Sequence, residues 1–422
     1  MRFTSRHAAA LCTAWLMVLP ACREAQSVKY SGPYGDLVAK YVPQVEKATG
    51  LTFKSPPKVE RRSTDEVRTF LEKEFNENLP TLELEGASRA YKLLGLLPDT
   101  LDLRRYMLKL LGEQVIGYYD PATKVLYVVS DTSAGRAVLV EVTIAHELVH
   151  ALQDQYIPLD SIQKQRDDND RQTAAQSVME GQATYEQMSS MLGGDMAVRM
   201  PGGWDRVREM IRENQTAMPV FASAPMLLQE TLLFPYLSGA EYIRRYKQAK
   251  TGRTPWQPLP ASTEQVMHYE KYVAGERPLK VELPPLLTGT AVYENDLGEF
   301  ETRLFLFQAL QDLGTSARSA EGWGGDRYVV ANLPGGAGIS WVTVWDTPID
   351  AGEFREAAQR AAQRRLGVAG TGADTKRFEA KGRVIEISTA TVQGKAAIIW
   401  TDVPAGSGTR LIDAAKVRLT EK

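Results

Sequence analysis

Residues 146–150 read His-Glu-Leu-Val-His, an HExxH pattern that places two imidazoles and a carboxylate on one short segment. Each residue of an α-helix advances about 100°, so with His146 at zero, His150 lies at about 40° and Glu147 at about 100°. Two imidazoles at this spacing can bind one metal ion, and the neighbouring carboxylate can act as a general base. The pattern therefore predicts metal-dependent hydrolysis on one face of a helix over residues 137–155.

The composition of this predicted helix indicates that it is buried. The chain has only four histidines, yet two of them stand at ligand spacing. The opposite half of the helical wheel is wholly apolar. It consists of Val142, Ile144, Ala145, Leu148, Val149, Ala151 and Leu152. A helix with one polar face toward a cavity explains this pattern better than a charged surface stretch does.

A catalytic zinc ion usually takes three protein ligands and leaves one position to water. Glu180 is the predicted third ligand. It lies on a second predicted helix over residues 173–192, and an antiparallel return would bring its carboxylate beside both imidazoles. The following Gly181 would allow close helix approach. The competing carboxylates are Asp154, Asp167, Asp168, Asp170 and Glu186; of these, the aspartates at 167–170 belong to a predicted hydrophilic loop over residues 164–171, where solvated charge is the ordinary explanation.

These two motifs resemble those of the gluzincins, the thermolysin-like clan of zinc metallopeptidases, which combine HExxH with a downstream glutamate. The resemblance rests on residues 146–150 and on Glu180-Gly181-Gln182-Ala183. It covers residues 115–271 and is loose outside the motifs. By resemblance, His146, His150 and Glu180 are zinc ligands, Glu147 is the general base, and the strand over residues 124–129 is a candidate for the edge that aligns an extended peptide.

The predicted chemistry is attack of water on a peptide carbonyl. Zinc lowers the pKa of bound water from about 15.7 to about 7, and Glu147 can take that proton and deliver it to the leaving amine. The oxyanion then needs a second donor, which thermolysin-like enzymes take from histidine or tyrosine. The sequence leaves this donor open among His268, Tyr236 and Tyr242.

Two residues are candidates for orienting the ligands. Asp154 follows His150 by one helical turn, and Thr184 follows Glu180 by one turn. Such partners fix ring orientation in many metal sites. Ordinary hydrogen bonds on a helix surface are the alternative for both.

The elements that must position these residues are mostly helical. Helical periodicity covers most of residues 34–111, and a further helix is predicted over residues 236–250. Two β-branched and aromatic runs, residues 115–119 and 124–129, flank Asp120-Pro121-Ala122-Thr123 and predict a hairpin.

The last 130 or so residues alternate helix and strand patterns. Helices are predicted over 297–313, 351–366 and 410–419, and strands over 328–333, 339–345, 384–391 and 396–401. The predicted fold class is thus α+β. A mainly helical, zincin-like core with a short hairpin occupies residues 34–287, and a smaller α+β domain of open role occupies residues 288–422.

The first residues predict export. Arg2 and Arg6 precede an apolar run over residues 8–19, which is too short to span a bilayer. Leu19-Pro20-Ala21-Cys22 resembles a bacterial lipobox, so residues 1–22 are predicted to be a signal peptide and Cys22 a lipid anchor on the cell envelope. Cleavage near Ala21 to release a periplasmic or secreted protein is the alternative.

Composition excludes several classes. The 422 residues carry 50 lysines and arginines against 52 aspartates and glutamates, a net charge of −2, so a nucleic-acid partner is not expected. Both cysteines, Cys12 and Cys22, lie at the N-terminus, so any metal in the body must have nitrogen and oxygen ligands.

The leading hypothesis is an exported zinc metallopeptidase acting on peptide or protein substrates. One alternative is a lipoprotein whose zinc site is structural or vestigial and whose C-terminal domain is a binding module. Another is a zinc amidase acting on cell-wall material. Cleavage specificity, a pro-segment and the oligomeric state stay open, because specificity loops lie beyond spacing arguments.

Overall fold

The computed structural model describes residue 30 and residues 32–78, 81–114, 116–129, 136–163, 167–191, 203–250, 252–368 and 376–422. The predicted signal peptide and lipid anchor, residues 1–22, lie outside the described part. No helix in the described part combines the length and apolar character needed to cross a membrane.

The chain folds as a mixture of helices and strands, which agrees with the predicted α+β class. Its helices are α1 (Gly35–Thr49), α2 (Thr64–Asn78), α3 (Thr81–Leu93), α4 (Leu103–Gln114), α5 (Arg136–Asp154), α6 (Leu159–Gln163), α7 (Asn169–Met191), α8 (Gly203–Thr216), α9 (Pro219–Ala222), α10 (Met226–Ala249), α11 (Thr263–Met267), α12 (Tyr269–Ala274), α13 (Gly298–Leu310), α14 (Leu313–Arg318) and α15 (Pro348–Leu366). Its strands are β1 (Lys58–Arg62), β2 (Gly117–Asp120), β3 (Val125–Val129), β4 (Leu279–Glu282), β5 (Thr290–Asn295), β6 (Trp323–Leu333), β7 (Gly336–Trp345), β8 (Arg377–Ala380), β9 (Arg383–Val392), β10 (Lys395–Pro404) and β11 (Arg418–Glu421).

A small sheet in the order β1-β3-β2 lies beside α5. The predicted hairpin is confirmed as β2 and β3, which pair antiparallel. The expectation that residues 124–129 form an edge is wrong, because β1 pairs with β3 on its other side and buries all five β3 residues. The pattern of β1, Lys-Val-Glu-Arg-Arg, has only one buried residue, Val59, so sequence periodicity did not reveal it. The edge strand next to α5 is β2.

The apolar half of α5 is buried as predicted. Ile144, Leu148 and Val149 are fully buried in a cluster formed with α1 and the small sheet. Burial of each such side chain contributes roughly 1.5–3 kcal/mol. This packing fixes the rotation of α5, so its polar face must point away from the sheet interior.

Helices α7 and α10 cross in direct backbone contact. A Cβ built on Gly181 would lie 2.1 Å from the carbonyl carbon of Gly239, and one on Gly239 would lie 1.9 Å from the Ser177 oxygen. Only glycine fits at both positions. Gly181 does allow close helix approach, and its partner is α10. That helix begins ten residues before the predicted start at 236, since buried leucines extend it through Pro235.

The C-terminal region contains a six-stranded antiparallel sheet in the order β5-β6-β7-β10-β9-β8. One face packs on α13 and α15 around buried aromatic rings such as Trp345, stacked on Phe354 at 4.7 Å. The β4–β11 pair packs on the other face.

The predicted helix over residues 410–419 is wrong. These residues form a loop, a 3-10 turn at Ala414–Lys416 and the start of β11. Pairing of β11 with β4 and burial of Ile412 and Val417 override the local helix propensity. The β4–β11 pair also spans the predicted boundary near residue 288, and the largest apolar core includes residues from both sides of it. The division into two domains stays a prediction.

Candidate metal centre

The structure brings His146, His150 and Glu180 together. Helix α5 supplies both imidazoles, and α7 supplies the carboxylate. The two Nε2 atoms lie 3.1 Å apart, and Glu180 Oε2 lies 3.2 Å from Nε2 of His146 and 3.4 Å from Nε2 of His150. Each pair of donor atoms is therefore close enough to share one ion.

The triangle of donor atoms matches the size of a zinc site. Ligand atoms at about 2.0–2.1 Å from a tetrahedral zinc ion lie about 3.3 Å from one another. The three observed separations of 3.1, 3.2 and 3.4 Å bracket this value.

The far side of His150 is held by a buried amide. Its Nδ1 lies 2.9 Å from Gln153 Oε1, while Gln153 Nε2 donates to the Met179 carbonyl at 3.1 Å and to Gln182 Oε1 at 2.9 Å. These two donations require Nε2 to be the amide nitrogen, so Oε1 must accept. His150 then carries its proton on Nδ1 and presents a bare lone pair from Nε2.

The Nδ1 of His146 lies 3.1 Å from Gln187 Oε1, which accepts when the ring carries its proton on Nδ1. In that tautomer, two Nε2 lone pairs and the Glu180 carboxylate converge. Three lone pairs at this distance repel one another unless a cation lies between them. The donor set thus fits a divalent ion with nitrogen and oxygen ligands.

The pKa shifts within the cluster also favour a bound cation. Burial lowers the pKa of His150, but the charge of Glu180, its hydrogen bond and the charge of Glu147 raise it to about 9. Burial raises the pKa of Glu180, yet His150 and His146 bring it well below its usual range. Both shifts mean that a positive charge is stabilised between these groups.

Glu147 lies beside this cluster and takes no part in the triangle. Its Oε2 accepts the backbone N–H of Tyr119, on the edge strand β2, at 2.8 Å. Burial raises the pKa of Glu147, while the two histidines and the Tyr119 N–H oppose that rise. A carboxylate with a raised pKa beside a metal site is suited to accept and return a proton.

The structure separates the three candidates for the second donor. Tyr236, on α10, lines the same cleft, with its ring centroid 6.2 Å from that of His146. The negative charge of Glu180 and, to a smaller extent, burial raise the pKa of Tyr236 well above its usual value. His268 instead bonds Glu299 at 2.8 Å. Tyr242 is buried among other tyrosines.

The cleft has a volume of about 260 Å³. It is lined by the catalytic candidates, by the apolar side chains of Leu159, Ile162 and Met179, and by Gly117 and Tyr119 of β2.

The competing carboxylates lie elsewhere. Asp154 accepts the Tyr119 hydroxyl at 2.8 Å and the Lys124 ammonium at 2.6 Å, and it does not contact the histidines. Glu186 pairs with Lys247 at 2.5 Å. The prediction of a solvated loop at 167–170 is correct for the exposed Asp167 and wrong for the end of the run, because α7 already begins at Asn169 and Asp170 is fully buried.

A second group of carboxylates, Glu264, Glu276 and Asp346, also comes together within the described residues. The Lys271 ammonium lies 2.6, 2.7 and 3.1 Å from their oxygens. A cation of the protein itself therefore occupies this position.

The sequence analysis did not identify the glutamines around the two histidines, which are Gln153, Gln182 and Gln187. Gln153 follows His150 by three residues, and Gln187 follows Glu180 by seven, so both share a helix face with a ligand. That spacing was the available signal, but only the crossing of α5 and α7 shows that the amides reach the rings. The two residues predicted for this task were Asp154 and Thr184, but the Nδ1 atoms of the two rings contact Gln187 and Gln153 instead.

Comparisons with known proteins leave the site region unassigned. Residues 286–407 match the family model described as a domain of unknown function, DUF8575. This segment is less than half of the chain, and all four candidate residues lie outside it. No curated protein matches the chain at a significant level.

Among solved structures, the chain is similar to "a putative hydrolase with a novel fold from Chloroflexus aurantiacus". The identity is 15%, the TM-score is 0.35, and the alignment covers 57% of this chain and 88% of that one. A TM-score this low carries no argument about fold or activity.

Proposed function

We propose that this chain is an exported zinc-dependent metallopeptidase. The observation that carries the proposal is the convergence of three donor atoms, from His146, His150 and Glu180, with a second carboxylate, that of Glu147, held beside them. This donor set and the helix that carries it also support the zincin-like core expected from the gluzincin resemblance.

The three converging residues would hold the ion. Zinc supplies Lewis acidity, which acidifies water and polarises a carbonyl. Glu147 accepts the proton of the attacking water and returns it to the leaving amine, and the Tyr119 N–H keeps its carboxylate turned toward the cleft.

The substrate is proposed to be an extended peptide along β2. In this hairpin, the Ile116 carbonyl accepts the N–H of Val129 in β3, so in the alternating antiparallel pattern the backbone groups of Gly117 and Tyr119 face away from β3. The Tyr119 N–H donates to Glu147 at 2.8 Å, which supports a substrate position along this edge. Peptides commonly bind such edges by adding a strand.

Tyr236 is the proposed second donor to the oxyanion. Of the three candidates, Tyr236 is the one that lines the cleft, and its ring centroid lies 6.2 Å from that of His146. A preorganised O–H donor at this position would stabilise developing negative charge.

Three converging ligands favour catalysis over a structural role. Structural zinc sites are closed by four protein ligands, whereas catalytic sites keep one position open. Among the described residues, three donor side chains meet at this centre. Export, with lipidation of Cys22, belongs to the same proposal and would direct the enzyme to envelope polypeptides.

The test combines metal analysis with cleavage. Purified protein is analysed for zinc and incubated with a peptide library, with and without a chelator. We expect one equivalent of zinc, cleavage that the chelator abolishes, and a Glu147→Gln variant that keeps zinc but loses turnover.

Glu141→Gln is the matched control, because Glu141 lies on the same helix and contacts Lys40 and Tyr41 away from the cleft. It should retain activity. Full activity of Glu147→Gln would refute the mechanism. Bound zinc without cleavage of any peptide would favour the binding module, and cleavage restricted to cell-wall amides would favour the amidase.

A further inference from the structure

The N-terminus of α7 is capped by side chains from the C-terminal region. The N–H of Asn169 donates to Asn295 Oδ1 at 3.0 Å, and the N–H of Asp170 donates to Asp296 Oδ1 at 2.9 Å. The first N–H groups of a helix have no partners within the helix. Two of these donors in α7 are therefore satisfied by residues more than 120 positions later in the chain.

The surroundings of this cap are buried and charged. Asp170 accepts the Thr263 N–H at 2.8 Å and its hydroxyl at 2.5 Å. The Lys422 ammonium lies 2.7 Å from Asp168 and 3.0 Å from Asp296. The cap thus joins α7 to three downstream segments at once.

The capping residues are themselves held firmly. Asp326, on β6, accepts the N–H groups of Leu297 and Gly298, each at 2.9 Å, and the indole N–H of Trp341 at 2.8 Å. These contacts fix residues 295–298 to the six-stranded sheet. The position of the cap is therefore set by the sheet.

The cap and Glu180 lie on the same helix. Asp170 precedes Glu180 by ten residues, and between them α7 presents Ser177 to Gly239 at the crossing with α10. Glu180 lies next to this crossing. Since metal ligands must be held within about 0.5 Å of their productive positions, the axial register of α7 matters.

We propose that Asn295 and Asp296 are positioning residues that fix the axial register of α7 and so place Glu180 at the metal centre. In this chain, the segment that matches the domain of unknown function would then complete the catalytic unit. This inference rests on the proposed zinc site, and its test separates the two.

The test measures zinc affinity by competition with a chromophoric chelator, on protein shown to be folded by circular dichroism. Asp296→Ala should weaken zinc binding on the order of tenfold, the lower end of the loss seen when a partner of a ligand is removed. Asp296→Asn keeps the acceptor for the Asp170 N–H and should recover most of the affinity.

Asp312→Ala is the matched control. Asp312 caps α14 in the same C-terminal region, where its Oδ1 accepts the Thr315 N–H at 3.0 Å. Its loss should lower stability without changing zinc affinity, because α14 carries no ligand. If Asp296 had a purely structural role, Asp296→Ala would likewise lower stability and leave zinc affinity unchanged.

Unchanged zinc affinity in folded Asp296→Ala would overturn the inference. Should that variant not fold, Asn295→Ala removes one cap while leaving Lys422 paired, and the same criterion applies. Absence of zinc binding by the unmodified protein would instead refute the proposed function.

Discussion

Replacement of Gln153 by leucine tests the argument about the histidine lone pairs. Gln153 is 1% exposed and accepts the Nδ1 proton of His150 at 2.9 Å. Without this acceptor, metal-free His150 can move its proton to Nε2, toward Glu180. Metal binding would then force the proton back to Nδ1, where it has no partner.

The size of this effect follows from the cost of an unsatisfied buried donor. That cost is about 1–3 kcal/mol, which corresponds to about 5- to 150-fold in zinc affinity. Measured losses for removed partners of metal ligands, about 10- to 100-fold, fall in the same range. Chelator competition with folded Gln153→Leu should therefore show a dissociation constant raised by one to two orders of magnitude.

Gln155→Leu is the control for lost hydrogen bonding near the end of α5. Gln155 accepts the Lys54 N–H at 2.6 Å and donates to the Ser55 carbonyl at 3.0 Å, on the far side from the ligands. It should leave zinc affinity unchanged. Equal affinity of Gln153→Leu and the unmodified protein would refute the assignment of the His150 proton and the role of the amide.

Three further predictions follow from the same geometry. Tyr236→Phe should lower kcat about 10²- to 10³-fold with zinc retained, because one oxyanion donor is lost; a steady-state assay showing normal kcat would remove Tyr236 from the mechanism. Gly239→Ala should destabilise the fold by about 1–3 kcal/mol, since its Cβ would lie 1.9 Å from the Ser177 oxygen; a denaturant titration with an unchanged midpoint would contradict the close crossing. Burial raises the pKa of Glu301 to about 8 despite hydrogen bonds from Asn169 and Tyr91, so the folded state binds the proton more tightly than the unfolded state and its contribution to stability is lost as pH rises from about 4.5 through 8. Unfolding free energies measured across this range should fall less steeply for Glu301→Gln, and identical slopes would count against a protonated Glu301.

The local features of the site could be predicted from the sequence. Helical periodicity places His146, Glu147 and His150 on one face, and the apolar residues opposite them require burial of the other face. The β2–β3 hairpin follows from two apolar runs around a turn. These features depend on residues a few positions apart, so sequence spacing is enough to reveal them.

The features of the site that depend on contacts between distant segments could be established only from the tertiary structure. The sequence predicted Glu180 as the third ligand, but only the crossing of α5 and α7 places its carboxylate beside both imidazoles and brings Gln153 and Gln187 to the rings. Asp170 stands in an acidic run whose composition predicts solvent exposure, yet contacts with downstream residues such as Thr263 bury it. Charged and amide side chains form hydrogen bonds with residues that are distant in the sequence and close in the fold. The spacing of residues within one helix does not predict which distant segment packs against it.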